Sequence, residues 1–248
     1  MTTNPRFSRT ALRLTALAAL LAAVFGTGAA TAAPVPGQGT WQSTLQGRDL
    51  DGNLGNGFEA FYDTTLNITW LTAAQAPTGN LSWAAANTWA SSLSPGGVSG
   101  WRLPRLTVAG SGACTFANSG TDCGYNVNVA NSELAHLFYV TLGNRSTVAP
   151  GGGGQAGGGL TNTGPFSAVF TGDYWTGTSY AADAQSQAWF FNTGAGLQLN
   201  TQKTFTLAAW AVHNGDVTAP VPEPQTWALA LLGLAGLAGL VKRARTPG

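Results

Sequence analysis

The chain has 248 residues, of which only 8% are charged, and a formal net charge of +1. Six of the eleven basic residues (Arg6, Arg9, Arg13, Lys242, Arg243 and Arg245) and one of the ten acidic residues (Glu223) lie near the two ends, so the middle carries a net charge near −4. A nucleic-acid partner requires a basic face to neutralise phosphates, and this middle offers none.

The N-terminus reads as a secretory signal peptide over residues 1–32. Arg6, Arg9 and Arg13 precede an apolar core from Leu14 to Phe25, and Ala30-Thr31-Ala32 forms an A-x-A site with cleavage expected between Ala32 and Ala33. The middle, residues 33–219, is long enough for one domain with a real hydrophobic centre. It opens with a predicted strand and turn in "TWQSTLQGRDLDGN". "FEAFYDTTLNITWL" alternates and is rich in aromatic and β-branched residues, which predicts two strands joined near 64–67. Ser82 then caps a helix through "WAAANTWASSL", with Trp83, Ala86, Ala90 and Leu93 at helical spacing and Gly96-Gly97 as its stop. "GWRLPR" is a short extended piece.

Cys114 and Cys123 follow, the only cysteines; in an exported chain this pair in a Gly/Ser/Asn loop reads as a disulfide. A second helix is predicted for "SELAHLFYVTLG", capped by Ser132, with Leu134, Leu137, Phe138 and Leu142 on its buried side. Residues 148–159, "VAPGGGGQAGGG", read as a flexible surface loop. "YWTGTSY", "QAWFFNT", "GLQLNT" and "FTLAAWAVHN" read as short late strands. Strands, then helices, then strands predict an α+β domain with an antiparallel sheet.

Enzyme signatures are sparse. Asp49, Asp51 and Asn53 alternate as in a calcium loop, but Leu54 and Ala60 stand where an EF-hand needs Gly and Glu, so an Asx-rich turn is expected. Glu133 and His136 lie one turn apart without the further ligands that a carboxylate-bridged metal site requires, and read as surface or cap residues. Neither H-E-x-x-H nor G-x-S-x-G occurs. No catalytic residue, metal or cofactor is expected.

The ordered blocks "LNITWL", "LSWAAANTWASSL", "SGWRLPR", "SELAHLF", "YWTGTSY", "QAWFFNTGAG" and "AAWAVHNGD" resemble the Lcl C-terminal domain family over about residues 52–217. The resemblance implies a C-type-lectin-like single domain with two helices and a twisted antiparallel sheet. It also implies a distant kinship with formylglycine-generating enzymes, and association with extracellular polysaccharide. His213 stands where relatives often show arginine, and the cysteine insertion is extra relative to compact members. By analogy with the fold, the ligand surface is expected at Trp175, Tyr180, Trp189 and Asn192, and Trp70, Trp83 and Trp101 in the core.

Residues 220–248 resemble the PEP-CTERM sorting signal: "VPEP" with Pro222, Glu223 and Pro224, an apolar run over 226–241, and the basic end "KRAR". The resemblance implies exosortase as processing partner. As a helix the run would be about 24 Å long, short of a roughly 30 Å hydrocarbon core. That fits transient membrane insertion followed by processing; the alternative is a retained anchor on a surface scaffold. The expected product is a non-enzymatic protein at the cell surface or in the exopolysaccharide matrix. The competing reading is an enzyme, either a formylglycine-type oxidase relative or a glycan hydrolase using Asp173 and Asp183.

Overall fold

A computed structural model describes residues 39–107, 118 and 120–217. The expected signal peptide with its Ala32/Ala33 junction, Cys114, and the sorting segment with Pro222, Glu223 and Pro224 lie outside the described residues.

The chain enters through a single helical turn, α1 (Trp41–Thr44), where a strand was expected, and continues as β1 (Leu45–Arg48). The Thr44 hydroxyl and amide both bond the Thr40 carbonyl at 2.9 Å, which holds the turn. β2 (Ala60–Asp63) and β3 (Ile68–Leu71) form the expected hairpin, with Asp63 opposite Ile68. Its turn is built by Asp63, whose Oδ1 accepts the amides of Thr65 at 2.9 Å and Leu66 at 3.2 Å. Asn67 supplies the left-handed residue, with φ of 52°. α2 (Trp83–Ser92) starts where Ser82 accepts the Ala85 amide, and it buries Ala86 and Ala90.

β4 (Trp101–Arg102) and β5 (Gly124–Tyr125) are two-residue strands. α3 (Glu133–His136), capped by Ser132, does not run on as α-helix but widens into a π-helical turn over Leu137–Thr141, in which the Leu142 amide bonds the Leu137 carbonyl at 2.8 Å. The four apolar side chains expected on its inner side, Leu134, Leu137, Phe138 and Leu142, are all buried. The late strands are β6 (Asp173–Ser179), β7 (Gln187–Asn192), β8 (Leu197–Gln202) and β9 (Val212–Asn214).

Two antiparallel sheets result, of order β1-β2-β3-β9-β4 and β5-β8-β7-β6, giving an α+β fold that is mostly β rather than one built on a single sheet. The late segment expected as one long strand explains how they join. Only 212–214 lies in a ladder; the preceding Ala208, Ala209 and Ala211 are fully buried and form the seam. Ala208 bonds both Asp173 and Trp175 of β6, the Ala211 carbonyl accepts from Leu71 of β3, and Leu207 exchanges two bonds with Leu81. Alanine suits this path because a larger side chain would hold the two layers apart.

The glycine-rich run is not a loose loop. Gln155 donates to the Thr147 carbonyl at 2.7 Å, Gly159 to Arg145 at 2.8 Å, and Asn126 Nδ2 to the Val148 carbonyl at 2.8 Å. Gly158 is required there, since a Cβ would stand 2.4 Å from the Ser146 carbonyl oxygen. Absence of side chains lets the backbone satisfy its own hydrogen bonds by folding back.

Candidate functional site

The four late-strand candidates do not form a ligand face. Trp175 is fully buried, and its Nε1 donates to the Leu81 carbonyl at 2.8 Å. Trp189 is buried and packs edge-on against Tyr180 at a centroid distance of 5.3 Å, in a small cluster with Leu106 and Cys123. Asn192 donates to Asp173 Oδ1 at 2.6 Å and accepts the Ala195 amide at 2.7 Å, closing the β7–β8 turn. These rings are core, and a sugar cannot stack on a face already covered by protein. Trp70 and Trp101 are buried as expected; Trp83 is partly buried, with Lys203 Nζ 4.0 Å from its ring centroid. Cys123 is buried and is not a free thiol; its expected partner, Cys114, lies outside the described residues.

The proposed hydrolase pair is also separated. Asp173 opens β6 and Asp183 follows its other end, so a seven-residue strand lies between them. At about 3.3 Å per residue that is roughly 20 Å, against the 5–10 Å that two cooperating carboxylates need.

Three polar constellations do assemble. The first ties β4, α3 and β9 together. Arg102 donates through Nη1 and Nη2 to the two carboxylate oxygens of Glu133 at 2.8 and 2.7 Å, and through Nε and Nη2 to Asn214 Oδ1 at 2.8 and 2.7 Å. Glu133 Oε2 also accepts the Arg105 amide at 2.6 Å. Glu133 is therefore an internal clamp, not a surface residue. "W-R-L-P" signalled a turn; the partners of its arginine lie 31 and 112 residues away and left no local trace.

The second constellation is buried. The Thr141 hydroxyl lies 3.2 Å from Asp63 Oδ2 and 3.3 Å from His136 Nδ1. The π-turn makes this possible, because its extra residue brings position i+5 over position i. Glu133 and His136 thus turn to different partners. Burial pushes the His136 pKa down from its usual value, while the Asp63 charge opposes that shift. A His pKa lowered in the fold means that the unfolded chain binds the extra proton. Stability from this group is fully present above the unfolded value near 6.5 and is lost as pH falls through the folded value. Melting curves taken between pH 8 and 5 should show this loss in the native protein and less of it in His136→Asn, which keeps a donor near the Nδ1 position; equal pH dependence would remove the assignment.

The third constellation is the acidic loop. Carboxylate oxygens of Asp49, Asp51 and Glu59 all lie within 4.8 Å of one another, a set able to hold a hard cation through oxygen. Most of these atoms already serve the expected Asx turn. Asp49 Oδ1 accepts from Gly52 and Asn53, and Asp51 accepts from Asn53 and Asn56; the bonds from Asn56 and Asn53 hold the Asp51 carboxyl below its ordinary pKa. Glu59 bonds the Leu50 amide at 2.7 Å. The sequence pattern looked to position 60 for the acid that the fold supplies from 59.

Residues 220–245 match the family model described as the PEP-CTERM protein-sorting motif. The chain thus carries this motif, which suggests an exported, surface-directed protein processed by exosortase. No curated protein matches the chain. Among the described residues, no helix is long and apolar enough to cross a membrane.

Proposed function

We propose that this chain is a non-enzymatic exported protein that exosortase processes through its C-terminal segment, and that its C-type-lectin-like core is left at the cell surface or in the exopolysaccharide matrix, associated with polysaccharide. The observation that carries the reading is the sorting motif over residues 220–245. The lectin-like assignment draws support from β1 and β9 belonging to one sheet while β5, β6, β7 and β8 form a second. The non-enzymatic reading draws support from the structural employment of the acids. Glu133 clamps Arg102, Asp63 builds a turn, and Asp173 and Asp183 bond neighbouring turn residues.

With the tryptophans largely inside, polysaccharide contact falls to exposed loops. The 202–206 segment presents Phe205, 57% exposed, between exposed Gln202, Thr204 and Thr206. An aromatic face flanked by amides and hydroxyls suits sugar C–H and O–H groups.

The intact mass of the released protein tests the sorting reading. In the producing cell the mass should lack the residues beyond Pro224, and Glu223→Ala or loss of exosortase should leave the full tail; a tail retained in the native strain overturns the reading. Co-sedimentation of the purified core with the producer's own matrix tests association separately, and absence of retention removes it.

A further inference from the structure

The buried constellation of Asp63, Thr141 and His136 holds the parts of an acyl-transfer site. Asp63 and Thr141 are fully buried and His136 is 8% exposed, so the group is shielded from bulk water. The chain at 39–40 packs directly on the π-turn: the Thr40 amide bonds the Thr141 carbonyl at 2.9 Å, and a Cβ on Gly39 would stand 2.3 Å from that carbonyl oxygen.

The Thr141 hydroxyl is the nucleophile of the set. It lies 3.3 Å from His136 Nδ1, a base, and 3.2 Å from Oδ2 of the Asp63 carboxyl. The other oxygen of that carboxyl, Oδ1, accepts the amides of Thr65 at 2.9 Å and Leu66 at 3.2 Å. Two backbone donors on one oxygen stabilise the charge that develops there when the attached carbon is attacked. Burial, which pushes the His136 pKa down, keeps the imidazole neutral and able to accept a proton at neutral pH.

We propose that Thr141 and Asp63 form an intramolecular ester, a covalent cross-link between the end of β2 and the π-turn that follows α3. In the reacting form Asp63 is protonated, Oδ2–H donates to Thr141 Oγ1, and the Thr141 hydroxyl donates to His136 Nδ1. Oγ1 then bonds to Asp63 Cγ while its proton passes to Nδ1, and negative charge moves onto Oδ1 between the two amides. As the Cγ–Oδ2 bond breaks, the proton returns from Nδ1 to Oδ2, which leaves as water. One hydroxyl and one carboxylic acid give one ester and one water, with no redox change and with His136 restored. This is a single event in the life of the chain rather than turnover.

A dilute acid and alcohol in water would not hold such a bond. Well-oriented intramolecular reactants reach effective molarities of about 10⁵–10⁸ M, far above the concentration of water itself, and the ester also removes an ionisable group from a buried position. The link joins positions 78 residues apart and so restricts the unfolded chain, as a disulfide of the same span would.

Peptide mapping of the exported, reduced protein tests the proposal. Trypsin cuts after Arg48, Arg102, Arg105 and Arg145, which places Asp63 in the peptide 49–102 and Thr141 in the peptide 106–145. In the native protein these two peptides should run as one species, lighter than their sum by one water, and mild alkali should separate them. Thr141→Val should give only the separate peptides, and His136→Asn should lower the linked fraction at least ten-fold, with melting curves showing that both variants are folded. The proposal is overturned if the native peptides are unlinked, if Thr141→Val still links them, if the link survives alkali as an amide would, or if folded His136→Asn links to the native extent.

Discussion

Truncating Trp210 to alanine is expected to lower stability by about 3–5 kcal/mol, the usual cost of removing a large buried aromatic. Trp210 is 1% exposed and sits where the aromatic contacts of the first core cluster converge. Its ring lies 4.9 Å from Phe166, 5.1 Å from Trp70 and 5.8 Å from Tyr174, and Phe166 continues to Phe61 at 5.5 Å. Its Nε1 donates to the Leu71 carbonyl at 2.8 Å, so truncation opens a cavity and also deprives a strand carbonyl of a donor. For a domain of this size the loss corresponds to a fall in melting temperature of roughly 6–20 °C. Chemical denaturation of the purified core would measure it; a change under 1 kcal/mol would contradict the packing described. Trp210→Phe keeps most of the apolar contact and should cost less.

The second large effect belongs to Glu133. Removing its carboxylate leaves the Arg102 guanidinium with only Asn214 and one carbonyl, and leaves the Arg105 amide without its acceptor. A fully buried pair broken from one side costs roughly 3–5 kcal/mol. Here the side chains are 15% and 19% exposed, so water recovers part of that and Glu133→Ala is expected to cost about 2–4 kcal/mol. Arg102→Lys should not rescue the site, since a point charge cannot serve Glu133 and Asn214 together as a planar fork does. Thermal melts of Glu133→Ala, Arg102→Lys and the double variant would show the coupling as non-additivity; strictly additive losses would mean that the two residues act independently.

Much of the local structure was legible in the residues. The β2–β3 hairpin followed from alternation and its turn, α2 from Ser82 and the Trp83, Ala86 and Ala90 spacing, and the buried side of α3 from Leu134, Leu137, Phe138 and Leu142. Each of these depends on a period of two or 3.6, which a short window contains. The late tryptophans misled because that period assumes one covered face. Tyr174 and Trp175 are neighbours on β6 and point to opposite sides, yet both are buried, the first in the Trp210 cluster and the second in the cluster behind α2. A sheet covered on both faces leaves no outward residue for alternation to reveal.

The residues by themselves determined the hairpin, the helix caps, the α+β class and the sorting motif at residues 220–245, because each is written in neighbouring positions. Tertiary structure alone decided that Arg102 meets Glu133 and Asn214, that Asp63 reaches Thr141 across 78 residues, that Glu59 completes the acidic loop, and that Arg48 holds Asp216 across 168. Those partners are chosen by which strands lie side by side, and that choice depends on burial summed over the whole core rather than on any local pattern.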